Sequence, residues 1–208
     1  MRRGSTLAYV TSRIFGAIVN RQYAVDFDDL TDATVDTLDV LLDVKSQYPT
    51  FKVTLFTIPR RTSAFTIKQA KSLGDWVALA PHGWRHTRGE CFAWTDDEAH
   101  AKILAAKDMG IDAPIFRAPG WCLDGHVYEA CRALNYVVAS HETFRIPNTG
   151  VPEYVYNLHL GKKRGIRSIH GHLTPVAGNF IRDMFKDGRL SFPVKSDFIF
   201  AHEAGVVV

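Results

Sequence analysis

Two histidines, His82 and His86, stand four residues apart and follow directly after an apolar run of the sequence. A spacing of four would place both imidazoles on one face of a helical turn, where both can reach one metal ion. A second apolar run, far upstream, ends in the acidic residues Asp28 and Asp29. A carboxylate from this pair would complete a site of two histidines and one aspartate, with a position left open for water.

Both clusters come where a predicted strand ends, so the chain must bring these strand ends together. The apolar runs at 23–27 and 76–80 predict the two strands. Arg117, His170 and His172 also follow predicted strands. Because sites in parallel α/β folds are built at the carboxyl ends of the strands, we predict that these side chains share one site.

Strand and helix patterns alternate along most of the chain, which predicts parallel strands with crossover helices. The predicted helices cover 31–48, 63–73, 95–109, 124–134 and 179–185. The predicted strands cover 23–27, 51–58, 76–80, 111–116, 136–139, 155–160, 165–169 and 197–201. With about seven parallel strands, we expect an α/β fold of the (β/α) barrel type in a single domain over 1–208, with 1–20 as a poorly defined lead-in.

The composition is that of an ordinary globular protein, with 46% hydrophobic and 23% charged residues. The net charge is only +3, so nucleic acid is not the default expected partner. No apolar run approaches the roughly 18 residues that would span a bilayer, so no membrane partner is expected. Without a clear signal peptide, a cytoplasmic location is the default expectation, and the oligomeric state stays open. The odd number of cysteines, without zinc-ribbon spacing, predicts free thiols in a reducing compartment at Cys91, Cys122 and Cys131.

Four segments carry a resemblance to a known family. They are Phe27-Asp28-Asp29, His82-x-x-x-His86, Arg117-Ala118-Pro119-Gly120-Trp121 and Ile169-His170-Gly171-His172. In order, spacing and placement at strand ends, they resemble the motif series of the polysaccharide deacetylase family, a carbohydrate esterase type with the NodB homology domain. The resemblance implies a distorted, NodB-like (β/α) barrel that hydrolyses the N-acetyl group of an amino sugar.

The resemblance also implies a divalent metal ion, most often zinc. Its ligands would be Asp29, His82 and His86. A divalent ion polarises an amide carbonyl and lowers the pKa of a bound water to roughly 7. Mixed nitrogen and oxygen ligands suit zinc, and they are also compatible with cobalt, nickel or iron.

Catalytic roles follow from the same resemblance. Asp28 would be the general base, and Arg117 would hold it ionised and aimed. His170 or His172 would be the general acid that protonates the leaving amine, a task that suits histidine near neutral pH. The choice between the two is open, with a slight preference for His172, which is closer to the predicted mouth.

Several residues depart from the family pattern. Leu30 follows the acidic pair and Gly83 follows the first histidine, where the family usually has a small residue and a serine or threonine. The family's Asp and Trp before the last histidine are not recognisable, and Glu142 is a candidate substitute. Asp26 shares a strand face with Asp28, and we predict a hydrogen-bonded barrel residue rather than a third ligand.

Trp84, Trp121 and Glu142 are the candidates for substrate binding, because they lie in predicted mouth loops. Packing in the core is the alternative for both tryptophans. Glu90 is expected either to support the histidine loop or to be solvated.

Three functions remain to be separated. The favoured one is a metal-dependent deacetylase acting on an N-acetylated amino sugar or glycan. The second is a metal hydrolase of the same fold that acts on a non-sugar amide or an acetyl ester. The third is a non-catalytic remnant that binds carbohydrate.

Overall fold

The computed structural model describes residues 22–144, 146, 148–156, 166–174, 192 and 196–207. The strands are β1 (Gln22–Leu30), β2 (Val53–Thr57), β3 (Val77–Pro81), β4 (Ile115–Arg117), β5 (Val137–His141), β6 (Pro152–Tyr156), β7 (Ile166–His172), β8 (Asp197–Ile199) and β9 (Val206–Val207). The α-helices are α1 (Leu38–Gln47), α2 (Ala64–Ser72), α3 (Asp96–Asp108) and α4 (Gly125–Leu134). None of the helices in the described part of the chain has the length and apolarity that a membrane crossing requires.

The strands form two sheets that are joined into an incomplete ring. In the first sheet, β3, β2, β1 and β7 are parallel neighbours, and β8 pairs with the beginning of β1. In the second, β4, β5 and β6 are parallel, and β9 runs antiparallel to β6. An isolated parallel bridge between His82 and Arg117 joins the sheets on one side. On the other side, the hydroxyls of Tyr154 on β6 and Ser168 on β7 are in contact. The predicted distorted (β/α) barrel is therefore confirmed.

The strand β1 is the centre of the first sheet and is buried from Tyr23 to Asp28. Strands of parallel sheets are covered on both faces, which accounts for this nearly continuous burial. One face of β1, with Tyr23, Val25 and Phe27, belongs to a buried apolar cluster that includes side chains of α1 and α2. The other face presents Ala24, Asp26 and Asp28 at the two-residue period of a strand. Its interior neighbours are Phe56, Ala80, Ala139 and Tyr154, and the small residues among them leave room for large polar groups.

The helices predicted at 63–73, 95–109 and 124–134 are confirmed as α2, α3 and α4, with ends that agree to within one or two residues. The predicted capping box is present at the start of α3. Thr95 Oγ1 accepts the N–H of Glu98, while the Glu98 carboxylate accepts the N–H of Thr95. This reciprocal pair satisfies two of the donors that a helix start leaves free.

The predicted helix that opens at Thr31 was wrong at its start, because α1 begins only at Leu38. Thr34 Oγ1 accepts the N–H of Thr31 and donates to the carbonyl of Asp29. Side-chain bonds of this kind compete with helical backbone bonds and favour a turn. The intervening residues accordingly form turns and a short 3-10 helix.

Other boundaries shifted as well. The strand predicted at 155–160 corresponds to β6, which begins three residues earlier, and 157–160 lie outside the described residues. The strand predicted at 111–116 is shortened to β4. The antiparallel strand β9 was not predicted. The predicted helix at 179–185 and the lead-in at 1–20 lie outside the described residues.

The prediction of free thiols is confirmed, since none of the three cysteines forms a disulfide. Cys91 and Cys131 are buried, and this burial raises the pKa of both thiols. Both therefore stay protonated and act as small apolar residues.

Candidate metal centre and active site

The two histidines of the candidate metal site lie in the loop that follows β3. The prediction that a helical turn aligns them was wrong, because no helix forms between them. Gly83 and His86 instead have φ values of 59° and 63°, in the left-handed region. This sharp bend still brings the imidazoles together, with 3.1 Å between His82 Nε2 and His86 Nε2.

Gly83 is required at this bend. A Cβ atom added there would lie 2.2 Å from Glu90 Oε1 and 2.6 Å from Pro119 Cγ. Any side chain would meet this crowding in addition to the left-handed backbone, which disfavours residues other than glycine. The departure from the family's serine or threonine thus has a steric cause in this chain.

The side chain of Glu90 supports the same loop by binding the loop's backbone N–H groups. Its carboxylate accepts the N–H groups of Trp84, Arg85 and His86 at 2.8, 3.0 and 3.1 Å. A carboxylate that accepts several N–H groups fixes their direction. Glu90 therefore orients the histidine loop, which is the first of the two roles considered for it.

We expect Gly83→Ala to lower the free energy of unfolding by about 1–3 kcal/mol, as overpacking does, and to weaken zinc binding by about 10-fold or more, as lost support of metal ligands does. Gly125→Ala is the matched control, because a Cβ there meets nothing within 4 Å. Urea denaturation and zinc titration of both variants measure the two effects. Unchanged stability and zinc affinity in Gly83→Ala would contradict the inference that the bend at Gly83 requires glycine and holds the two histidines in place.

Asp29 reaches the histidines because β1 carries an irregularity. The register between β1 and β2 shifts between Phe27 and Leu30, and Asp29 has a φ of 69°. In a regular strand, adjacent side chains point to opposite faces. The bulge turns Asp29 toward the same mouth as Asp28. Strained backbone of this kind collects at functional sites.

The three side chains fit a cation. Asp29 Oδ1 lies 3.1 Å from His86 Nε2 and 3.8 Å from His82 Nε2. A tetrahedral ion with ligands at about 2.0–2.2 Å needs ligand atoms roughly 3.3–3.6 Å apart. Asp29 Oδ1 is also buried without a hydrogen-bond donor among the described residues. A buried carboxylate oxygen that makes no hydrogen bond but faces two imidazole nitrogens suits a ligand of an ion.

His82 is held in the form that binds a metal. Its Nδ1 lies 3.1 Å from the carbonyl oxygen of Arg117. Since a carbonyl can only accept, Nδ1 carries the hydrogen, and Nε2 keeps a free lone pair facing His86 and Asp29. Burial, the largest effect, lowers the pKa of His82 and so favours the neutral ligand form.

We expect zinc-reconstituted protein to hold one ion per chain, and His86→Gln to weaken its binding at least about 10-fold. His126→Gln is the control, because His126 is exposed and its ring pairs with Asp96 on the surface. Metal analysis after dialysis against a weak chelator gives the number of ions per chain.

A second group, Asp28 with His170 and His172, also has ligand atoms within 4.8 Å of one another. A ratio of two ions per chain would mean that this group binds an ion as well.

Arg117 links the site to the barrel interior and is fully buried. Its Nη1 donates to Asp26 Oδ1 and to Asp28 Oδ1, each at 2.6 Å. Its guanidinium carbon lies 3.7 Å from the ring centre of Phe56 and 4.5 Å from that of Trp121. The planar cation is thus held between two aromatic rings while it binds both carboxylates.

Asp28 is ionised beside the metal group. Burial alone would raise its pKa, but the charge of Arg117 is the largest of the effects that oppose burial, and the pKa is lowered to about 2. One carboxylate oxygen is bound to Arg117. The other, Oδ2, lies 3.5 Å from His82 Nε2 and so faces the metal group. This arrangement suits a base next to the ion rather than a ligand of it.

The histidines of β7 face the same carboxylates because of strand register. Asp26 pairs with His170 and Asp28 pairs with His172 across the parallel strands β1 and β7. His170 Nε2 and His172 Nε2 lie 3.8 and 3.9 Å from Asp28 Oδ2. Both histidines therefore lie on one face of β7. They differ in exposure, because the His172 side chain is 56% exposed and that of His170 only 9%.

The three predicted substrate-binding residues have different surroundings. Trp121 is half-buried at the site, with its ring centre 5.4 Å from that of His170. Trp84 is half-buried and packs against two clusters of the apolar core. Glu142 is exposed in the turn that follows β5.

One aromatic residue at the mouth was missed by the sequence analysis. Phe144 is 56% exposed, and its ring centre lies 5.5 Å from that of His141. The His141 ring in turn lies 5.7 Å from that of Trp121. An apolar aromatic in a loop directly after a predicted strand end was the signal that could have identified it.

Comparison with known proteins finds similar solved structures but no similar sequence. No protein-family model matches the chain, and no curated sequence matches it either. A family 4 carbohydrate esterase from Streptomyces lividans in complex with acetate is 14% identical, with a TM-score of 0.57 over 90% of this chain and 97% of that one. A family 4 acetyl xylan esterase from Clostridium thermocellum in complex with a cobalt ion is 16% identical, with a TM-score of 0.54 over 88% and 90%.

The peptidoglycan deacetylase PdaC from Bacillus subtilis is 17% identical, with a TM-score of 0.51 over 87% of each chain. A family 4 pseudoenzyme from Bacillus anthracis is also among the similar structures. The chain therefore has the NodB-type fold that family 4 carbohydrate esterases and peptidoglycan deacetylases share, as its ordered motifs predicted.

Proposed function

We propose that this protein is a metal-dependent hydrolase that removes acetyl groups from an N-acetylated amino sugar or glycan. The observation that carries the proposal is the short distance between the candidate metal ligands and the group formed by Asp28 and the β7 histidines. The Asp28 carboxylate is ionised and stands 3.5 Å from His82 of the ligand group and within 3.9 Å of both β7 histidines. Ligands, base and candidate acids therefore surround one small space at the carboxyl ends of the strands.

Asp29, His82 and His86 would hold the ion, with zinc or cobalt as the best fits to one oxygen and two nitrogen ligands. When bound, a divalent ion would polarise the acetyl carbonyl and make a nearby water more acidic. The chain supplies the remaining functions.

Asp28 takes one proton from the attacking water, whose oxygen forms a bond with the acetyl carbon. Arg117 keeps Asp28 ionised and fixes the direction of its second oxygen. The carbon–nitrogen bond breaks, and its electron pair stays on the nitrogen. A histidine of β7 gives that nitrogen a proton, so the products are acetate and a free amine.

A sugar is the substrate that the mouth of the site suits best. Trp121 lies beside His170, and Phe144 lies further along the mouth, next to His141. Aromatic rings of this kind can pack against the apolar side of a sugar ring. The described mouth carries no basic tract of the kind that would favour a nucleic acid.

A second candidate is hydrolysis of an acetyl ester. It is favoured by the absence of a recognisable Asp and Trp before the last histidine, because an ester leaving group needs less help from an acid. The similar structures include an acetyl xylan esterase as well as a deacetylase.

The deciding experiment measures acetate release by zinc-loaded protein from N-acetylglucosamine oligomers, acetylated xylan and 4-nitrophenyl acetate. We expect turnover of the N-acetylated oligomers that is lost on chelation and returns with zinc or cobalt. Turnover of esters alone would favour the second candidate. Tight glycan binding with no acetate released from any substrate would favour a non-catalytic carbohydrate-binding protein.

A further inference from the structure

A second carboxylate, Asp26, lies below the site and has no role in the proposed function. It is fully buried and accepts three hydrogen bonds. The donors are Arg117 Nη1 at 2.6 Å, His170 Nδ1 at 2.7 Å and the Tyr154 hydroxyl at 2.8 Å. Burial, followed by the charge of Asp26, raises the pKa of Tyr154, so its hydroxyl stays protonated and donates.

The number of hydrogens available to its neighbours determines which ring nitrogen of His170 carries a hydrogen. Arg117 Nη1 carries two hydrogens, and both point to carboxylates, one to Asp26 and one to Asp28. Arg117 Nη1 also lies 3.2 Å from His170 Nδ1, but it has no hydrogen left to donate to that nitrogen. Asp26 is ionised, because Arg117 and His170 lower its pKa against the effect of burial. The hydrogen between Asp26 and His170 must then sit on Nδ1.

This tautomer leaves Nε2 as the nitrogen of His170 that can exchange a proton with a substrate. Nε2 lies on the side of Asp28 Oδ2, which is 3.8 Å away. When His170 is an imidazolium, the two carboxylates, the guanidinium and the imidazolium carry no net charge together. A balanced set of charges lowers the cost of burying them.

His172 lacks this support. Its side chain is 56% exposed, and among the described residues no hydrogen bond to its ring is found. Groups that act in catalysis are held in their working geometry by neighbouring hydrogen bonds and packing. Of the two histidines, only His170 meets this condition here.

We propose, on the basis of the proposed function, that Asp26 is a positioning residue that orients His170 as the general acid of this site. In the step concerned, the carbon–nitrogen bond breaks toward nitrogen and the proton moves from His170 Nε2 to that nitrogen. His170 is left neutral, with its Nδ1 hydrogen still donated to Asp26. The carboxylate that orients the acid thus comes from β1, two residues before the base.

The proposal predicts a dependence on the leaving group. An amine must be protonated as it departs, whereas 4-nitrophenolate is stable as an anion and needs no acid. Loss of a general acid costs about 10²–10⁴-fold where the proton is required. In Asp26→Asn, the amide group favours the wrong tautomer of the neighbouring histidine, which has an effect of similar size.

The test compares zinc-loaded wild type with Asp26→Asn and His170→Gln on two substrates, an N-acetylglucosamine oligomer and 4-nitrophenyl acetate. We expect kcat/KM on the oligomer to fall about 10²–10⁴-fold in both variants, and on the aryl ester by less than about 10-fold. Asp112→Asn, an exposed carboxylate on the surface, is the control for both substrates. Equal losses on both substrates, or an amide-selective loss in His172→Gln but not in His170→Gln, would overturn the proposal.

A second measurement does not depend on folding of the Asp26 variant. In zinc-loaded wild type labelled with ¹⁵N-histidine, we expect a downfield imidazole N–H signal that is assigned to Nδ1 and is lost in His170→Gln. Failure to find a hydrogen-bonded Nδ1–H on His170 would overturn the assignment. A wild type that releases no acetate would instead count against the proposed function, while the signal would still report on the Asp26–His170 pair.

Discussion

Asp28→Asn is expected to lower kcat for deacetylation by about 10²–10⁴-fold while zinc binding is retained. The amide is nearly isosteric with the carboxylate but cannot accept a proton from water. Zinc binding should persist, because Oδ1 of Asp28 is committed to Arg117 and the ligand group is formed by other residues. Acetate release and metal content of the same preparation measure the two properties.

The control for this change is Asp112→Asn, which alters an exposed carboxylate paired with Lys71. It should leave both turnover and metal content as in wild type. An Asp28→Asn protein with full activity would exclude Asp28 as the base. Loss of zinc together with activity would show that Asp28 is a ligand.

Arg117→Met is expected to lower the free energy of unfolding by about 3–5 kcal/mol. The guanidinium is fully buried and binds two buried carboxylates, so its removal leaves both without the group that bridges them. Lys71→Met is the control. The Lys71–Asp112 pair is exposed, and such pairs contribute roughly 0–1 kcal/mol. Urea denaturation of the metal-free proteins at pH 7 measures both values.

The pH dependence separates this charge effect from simple loss of packing. In wild type, the pKa of Asp28 is about 2, below its ordinary value of 3.8, so its contribution to stability is present above 3.8 and is lost as the pH falls toward 2. In Arg117→Met, burial dominates and raises the pKa of the same carboxyl, so the folded variant loses stability as the pH rises. The difference between the two proteins should therefore shrink from pH 7 to pH 4. A difference that does not change with pH would indicate a packing effect.

The sequence was sufficient to predict which strand ends meet. Parallel strands place their carboxyl ends on one side, and this rule alone brings Asp28, His82, Arg117 and His170 together. The fold class and the helices with clear caps, such as the one that begins after Thr95, were predicted for similar reasons. These features depend on periodicity and on local hydrogen bonds, which are visible in the order of the residues.

The details that shape the site were not predictable in the same way. The spacing of His82 and His86 suggested a helical turn. The left-handed bend at Gly83 instead fits against Glu90, at the end of the same loop, and against Pro119, which follows β4 and is distant in sequence. Adjacent acids in a strand should point apart, and only the bulge turns Asp29 inward. The partner of Asp26 depends on strand register, which the pattern of apolar residues does not define for a strand buried on both faces.

The seam between the two sheets has a consequence for how the centre forms. His82 and Arg117 pair there through their backbones, and the N–H of Gly83 donates to the carbonyl of Arg117 at 2.9 Å. The same two residues supply a candidate ligand for the cation and the group that aims the base. Any movement that parts the sheets at this edge would dismantle both at once. We therefore expect closure of the barrel and assembly of the candidate site to occur together, so that a chain open at this edge would lack the proposed activity.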